Sequence, residues 1–414
     1  MEDAQQQLAA LRRRVARIDR KYATRSPVAA TAVVPRHSGR FVEELLSGEV
    51  VETARGRHFE TEKRWEAHRR HGSIGIGDLA DLPDDLLHAL SAGAIGPTHP
   101  SSWAFLDTET TGLAGAYAFL IGVGSIEPGG FRLRQFFLRE AREEASALAR
   151  LAEYLSRFEV LITYNGKTYD QPLLESRFRA VGASTKLFQG LPHLDLLFGA
   201  RRLWKLRLES CRLVDLENRI LGVEREGDLP GAMIPYYYFD YLRTQQAMRL
   251  VPILHHNAID ILSLACLTAV VSAAFYAPEK AAFPHGADLI GLGRWLLASK
   301  QTESALSVFH RALAMGLPDN LLFRTLWDVA LIEKRLGRPE QARAAFNDLT
   351  ESRNPYRARA FDALAKHYER ARDFETALRM TRGALQHSDG GPQSARWLRR
   401  EHRLNARIAK SKRA

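Results

Sequence analysis

The chain has 414 residues, room for two or three domains at about 150 residues each. Apolar residues make up 45% and charged residues 26%, which excludes a chain disordered throughout, and 59 basic against 48 acidic side chains leave +11, a balance that favours a polyanionic partner or surface. Two cysteines, Cys211 and Cys266, exclude a disulfide-stapled secreted scaffold and a cysteine-rich zinc module.

Residues 1–30 read as a basic helix without the apolar core of a signal peptide. Residues 31–80 mix strand-like pieces, FVEELL and GEVVETARGRHFETE, with polar turns, and no fold or role follows for 31–100. Pro83, Gly93, Gly96, Pro97 and Pro100 then interrupt the pattern, so a domain begins near Ser101 and is expected over 101–280. SWAFLD, residues 102–107, reads as a buried strand. Residues 117–125 and 131–138 read as a hairpin around EPGG. A helix over 143–158, a short strand over 160–164 and a helix over 170–181 follow. The expected class is α/β: a mixed five-stranded sheet with helices on its faces. The apolar run 261–277 is short for a membrane span, and Asp260 and two histidines abut its start. It reads as a helix buried in a core, and the expectation is a cytoplasmic protein without a membrane partner.

The last third has another rhythm. ESALSVFHRAL, EQARAAFNDL and ETALRMTRGAL align, and their alanines Ala305, Ala342 and Ala377 lie 37 and 35 residues apart. That is near the 34-residue period of tetratricopeptide repeats, expected here as an all-α region over 285–390, and a plain helical bundle fits the same spacing. Such repeats would offer a surface for a protein partner. The basic tail 391–414, with Arg399, Arg400, Arg403, Arg407, Lys410, Lys412 and Arg413, reads as a solvated end able to add weak, salt-sensitive binding.

Three acidic elements carry the chemistry. Asp107 and Glu109 end the strand WAFLD, and residues two apart on an extended chain point the same way. Two carboxylates so close repel unless a cation separates them, and hard divalent cations prefer such oxygens. Asp170 enters a helix after LITYN and GKTY, where it also suits the helix dipole. Asp260 heads an apolar helix, and buried carboxylates need partners. His256 lies four residues before it on the same helical face, while His255, five before, faces the site only if the chain is not yet helical there.

Together these elements resemble the DEDD superfamily of 3′–5′ exonucleases, which have a ribonuclease-H-like fold. Asp107 and Glu109 match the first motif, Asp170 the second and Asp260 the third, with Asn165 and Tyr169 in the second-motif segment. The stretch HLDLLFGARRLWKLRLESCRLVDLE and the helical tail bring the chain closer to the bacterial YprB-type ribonuclease-H-like family. The resemblance implies a pair of Mg²⁺ or Mn²⁺ ions held by Asp107, Glu109, Asp170 and Asp260, a DNA or RNA substrate, and His255 or His256 as general base. It also implies substrate contacts at Thr110, Asn165 and Tyr169. A nucleic-acid-binding or scaffolding protein without catalysis, or a structure-specific endonuclease, is the alternative.

Arg201, Arg202, Trp204, Lys205 and Arg207 interleave charge with a ring and suit phosphate and base contact, or an amphipathic helix with solvated arginines. The run Tyr236-Tyr237-Tyr238-Phe239 reads as core packing or a stacking wall, and His193 and Asp195 as a hydrogen-bonded pair.

Overall fold

The computed structural model describes residues 42–112, 116–225, 227–388 and 390–411. The expected helix over 1–30 and the tail residues Lys412 and Arg413 lie outside them. The described chain forms two compact units: residues 42–85 with 94–196 and 213–269, and residues 86–93 with 197–212 and 270–411.

The first unit is built on seven strands: β1 (Gly48–Thr53), β2 (Gly56–Glu66), β3 (Trp103–Thr110), β4 (Ala118–Glu127), β5 (Gly130–Phe137), β6 (Val160–Thr163) and β7 (His193–Asp195). Their order is β1-β2-β5-β4-β3-β6-β7. The β3–β6 and β6–β7 pairs are parallel and the others antiparallel. The expectation of five strands is thus corrected to seven, because the GEVVETARGRHFETE segment forms a hairpin that extends the antiparallel edge. Its inward residues hide the strand from a hydropathy reading, since His58, Glu60 and Thr61 are buried beside Phe59. They remain there because they are paired: His58 with Ser146 and Glu60, and Glu60 with Arg134 and Arg150.

Helices α1 (Glu144–Leu155) and α2 (Asp170–Ala180) follow the β5 and β6 strands, then α3 (Leu196–Trp204), α4 (Ile234–Thr244) and α5 (Val251–Tyr276). Residues 247–276 are long and apolar enough to cross a membrane, and 78% of their most apolar window is buried in the structure, as in a core helix. The start of α5 lies close on β4. A side chain at Gly122 would collide with Asn257 and Ile261, and one at Gly124 with Ile261 and Phe131. Two glycines on one face of a strand thus set how near the helix comes.

The second unit is helical. It pairs α6 (Gly286–Ala298) with α7 (Thr302–Ala314), α8 (Asp319–Arg335) with α9 (Pro339–Glu351), and α10 (Arg357–Arg370) with α11 (Phe374–Gln386), and α12 (Pro392–Ser411) packs on α11. Ala305, Ala342 and Ala377 are buried near the start of the second helix of each pair, where a larger side chain would part the helices. In the basic tail Arg399, Arg403, Arg407 and Lys410 are exposed, as expected, and Arg400 is buried. Arg400 pairs with Asp362, and Arg403 and Arg407 reach Glu369 at 3.0 and 3.7 Å, so both acids of α10 hold α12 in place.

Gly122→Ala should overpack the α5 contact and lower stability by about 1–3 kcal/mol. Urea unfolding checks this, with a lower midpoint at unchanged slope.

Candidate active site

The site grows from the exit of β3. Asp107 pairs across the ladder with Gly122, which is itself opposite Gln135 of β5, and Gln135 is opposite Thr61 of β2. One transverse row of the sheet therefore ends at Asp107. Along it runs a chain of hydrogen bonds. The Thr61 hydroxyl donates to Gln135 Oε1 at 3.0 Å. Gln135 Nε2 donates to Asn257 Oδ1 at 2.8 Å and to the Leu254 carbonyl at 2.9 Å. Asn257 Nδ2 donates to Asp107 Oδ2 at 2.9 Å. The amide that fixes Asp107 comes from α5 across the space Gly122 leaves open. Beyond Asp107 the β3–β4 register shifts between Glu109 and Thr110, so the strand ends in an irregular turn of the backbone.

The second element leaves β6. Asn165 takes a left-handed conformation (φ 67°), and its N–H donates to Asp195 Oδ1 at 2.8 Å while that of Lys167 donates to Oδ2 at 3.2 Å. Asp195 therefore anchors the turn from β7. Both ring nitrogens of His193 have partners. It joins Thr163 at 2.7 Å to Gln171 at 2.6 Å. Asp170 opens α2, buried, and accepts from the Thr108 hydroxyl at 2.5 Å. Tyr169 is exposed beside it.

The third element is already helical, because α5 begins at Val251. His256 and Asp260 share a face, with His256 Nε2 3.5 Å from Asp260 Oδ2 and 4.0 Å from Glu109 Oε1. One ligand atom from each of Glu109, His256 and Asp260 lies within 4.8 Å of the others. His255 is exposed on the neighbouring face, with Lys63, Asp228, Arg225 and His256 as charged neighbours. Of the two histidines, His256 is the one grouped with Glu109 and Asp260. Asp107 and Asp170 stand outside the close group of three but within its electrostatic reach. Burial first, then Asp260, Asp170 and Glu109, pushes the Asp107 carboxyl well above the usual range. Burial, Asp260, Asp170 and Asp228 do the same to Glu109, with Arg225 opposing. Burial pushes Asp170 up to about 6, against the Thr108 hydrogen bond, with Asp195 adding to the rise.

Three residues of this site carry no local signal. Asp228 Oδ1 lies 2.8 Å from His256 Nδ1, which leaves Nε2 turned to Glu109 and Asp260. Arg225, 8% exposed, contacts Asp260 and Glu217 through Nη2 and Asp228 through Nη1 at 3.1 Å. Glu217 is wholly buried at the start of a π-helical turn. From sequence, Arg225 and Asp228 read as charges on a glycine- and proline-bearing loop, and only the fold carries them to α5.

The donor set suits a divalent cation. Its ligand atoms are carboxylate oxygens with one imidazole, and the acids repel one another more than Arg225 alone offsets. The RRLWK cluster belongs to the second unit. Trp204 is fully buried, so it offers no face to a base, contrary to expectation. Arg202 lies over Trp295, Lys205 bonds the Glu209 carbonyl and Arg207 grips Asp288. Arg201 is exposed on the same helix. Packing claims the leucines and the tryptophan, as an amphipathic helix requires.

Asp107→Asn removes one repelling charge and keeps an acceptor for Asn257. The metal-free variant should be more stable than wild type by about 1–2 kcal/mol, and Mn²⁺ should raise the wild-type Tm but no longer that of the variant. Thermal unfolding with and without Mn²⁺ reads both. Burial, with Lys167 adding, pushes His193 down to about 4 from 6.5. It is neutral in the fold while the unfolded chain protonates, so its contribution is full above pH 6.5 and lost as pH falls toward 4. The stability difference between wild type and His193→Gln, followed by urea unfolding, should shrink over that window.

A family profile described as the RNase_H superfamily matches residues 104–272, the span that holds all four acids. A protein of Bacillus subtilis described as "Uncharacterized protein YprB" is 30% identical over 364 residues, covering 85% of each chain. Sheet order, acids and likeness over nearly the whole length agree: the chain belongs to the YprB family of the ribonuclease H superfamily.

Proposed function

We propose that the chain is a metal-dependent nuclease, a 3′–5′ exonuclease that hydrolyses phosphodiester bonds of single-stranded DNA or RNA. The observation that carries this is the gathering of half-buried Asp107, Glu109 and Asp260 and buried Asp170 at one end of a ribonuclease-H-like sheet, where Asp170 and Asp260 raise the carboxyls of Asp107 and Glu109. Asp107, Glu109 and Asp260 would hold one Mg²⁺ or Mn²⁺ ion, and Asp107 with Asp170 a second. Bound there, such ions supply stabilisation of charge on the scissile phosphate and the leaving oxygen. The chain's own residues do the rest. His256 accepts the proton of the attacking water at Nε2, and Asp228 on Nδ1 fixes the ring and shares the charge. Arg225 sets where the Asp260 carboxylate stands. Exposed Tyr169 and the turn at Asn165, beside Asp170 in sequence, would receive the strand end. The helix pairs of the second unit serve as a docking surface for a protein partner.

One observation favours a binding protein without catalysis: Asp260 already has a cation, Arg225. Metal titration by calorimetry separates the two readings, because a catalytic site binds Mn²⁺ and a purely structural ion pair does not.

The direct test is a Mn²⁺- and Mg²⁺-supplemented digestion of labelled single-stranded, duplex and circular DNA and RNA. Wild type should release mononucleotides from linear 3′ ends and leave circles intact. Asp107→Asn should release none, and His256→Ala should slow release by about 10²–10⁴-fold. Equal release by Asp107→Asn overturns the proposal, and cut circles replace the exonuclease with an endonuclease.

A further inference from the structure

The second unit holds a recess of 780 Å³ where the segment before α10 meets the start of α12. Arg353, Arg357 and Arg359 line it from that segment and the first turn of α10, and Gln386, Gln393 and Trp397 from the end of α11 and from α12. Its charge is one-sided, because no acid stands among the described lining residues. Arg353 and Arg359 are exposed and make no ion pair with any described residue. Arg357 donates from Nε to the Thr350 carbonyl at 3.0 Å, which fixes its guanidinium without neutralising it. Asp389, outside the described residues, is the one acid between Gln386 and Trp397 in sequence, and three arginines against it still leave +2. On neighbouring helices arginines are answered: Arg338 by Glu303, Arg382 by Glu401 and Arg400 by Asp362. Arg357 and Arg359 also stand in the first turn of α10, where the helix dipole disfavours a cation and no acid accompanies them. Like charges gathered in an unfavourable place favour an anion that relieves them.

The surroundings choose among anions. The recess has the size of a pocket for an organic ligand and is far roomier than one inorganic ion needs. Its rings are engaged within the fold: Tyr356 stacks on Trp327 at 5.5 Å, His387 stacks on Phe361 at 5.6 Å, and Trp397 is 4% exposed. The bases of a nucleic acid strand therefore meet little stacking surface there. Gln386 and Gln393 are exposed, and their amides offer the donors and acceptors that a peptide main chain needs. The arginine forks match carboxylates, and clusters of arginine are a recurring means of reading acidic peptide segments.

We propose that this recess binds an acidic peptide segment of a protein partner, with aspartate or glutamate carboxylates on Arg353, Arg357 and Arg359. The inference rests on the helix pairs being a docking surface, gives that partner its chemistry, and is independent of nuclease activity. Fluorescence anisotropy of a labelled glutamate hexapeptide on the full chain tests it, beside glutamine and lysine hexapeptides. Wild type should bind the glutamate peptide, more weakly as salt rises, and should not bind the glutamine peptide. Arg353→Gln/Arg359→Gln should weaken binding roughly two- to thirty-fold, the range for two exposed ion pairs. Arg353→Glu/Arg359→Glu should lose the glutamate peptide and bind the lysine peptide more tightly than wild type does, a reversal that misfolding would not produce. Near-ultraviolet circular dichroism confirms that each variant is folded. Lys334→Gln/Arg370→Gln, at a separate recess walled by α9 and α10, should leave binding unchanged. Equal binding of the glutamine peptide, or affinity unchanged in the Arg353 and Arg359 variants, overturns the proposal. So does a single-stranded oligonucleotide that displaces the peptide and is itself weakened by the same substitutions. If only Lys334→Gln/Arg370→Gln weakens the peptide, the docking surface stands and this recess falls. If the glutamate peptide does not bind at all, both fall, and the digestion outcome is untouched.

Discussion

The hydrogen bond from Asn257 to Asp107 is the contact on which the arrangement of the acids depends. It joins the helix that brings Asp260 and His256 to the strand that brings Asp107 and Glu109. It forms only because Gly122 lets α5 approach the sheet. A buried amide left without its partners would be expensive, so Gln135 and Thr61 complete the row behind it. The sheet register therefore decides the position of a carboxylate three strands away, and it does so through side chains of neutral charge. That matters electrically. A cation in place of Asn257 would hold Asp107 more tightly, but it would also cancel the charge that makes the cluster able to attract a divalent ion.

The acids are held by means that differ in strength. Asp170 lies at the first turn of α2, where the helix dipole favours a negative charge, and it accepts a short bond from Thr108. Asp107 and Glu109 sit on a strand end, where no such dipole helps, and their carboxyls are the ones driven furthest above the ordinary range. The electrostatic burden of the site is thus concentrated on β3. A folded chain tolerates such a burden when it is needed elsewhere, which is why strongly shifted groups collect at functional sites.

The parts of this arrangement legible in the sequence share one property: their signal is short in range. Asp107 and Glu109 announce themselves through the period of two at the end of an apolar strand, and Asp260 through its place in an apolar helix. The hairpin of β4 and β5 follows from its turn residues. What escaped reading depends on contacts between distant segments. The β1–β2 hairpin buries His58 and Glu60, and only Ser146, Arg134 and Arg150 make that burial acceptable. Arg225 and Asp228 lie 35 and 28 residues from Asp260 and His256 along the chain. Trp204 misleads for the opposite reason: charge beside a ring looks the same in sequence whether the ring faces solvent or, as here, the core. Arg400 of α12 likewise looks solvated until Asp362 is seen beneath it.

Arg225 explains how so much negative charge survives in a buried corner. Its planar fork meets Asp260, Glu217 and Asp228 at once, which the point charge of a lysine could not do with the same geometry. Burial works against its charge, and the surrounding carboxylates more than offset that. Yet its Nε finds no hydrogen-bond partner among the described residues. The guanidinium is therefore held by charge more than by a complete set of directed bonds, in contrast to Asn257, whose amide meets both an acceptor and a donor. The site accordingly joins two kinds of support. A neutral, fully bonded row fixes β3 against α5, and an incompletely bonded cation balances the acids from the loop before α4. The first fixes the strand and the helix that carry Asp107 and Asp260, and the second offsets the charge they bring together.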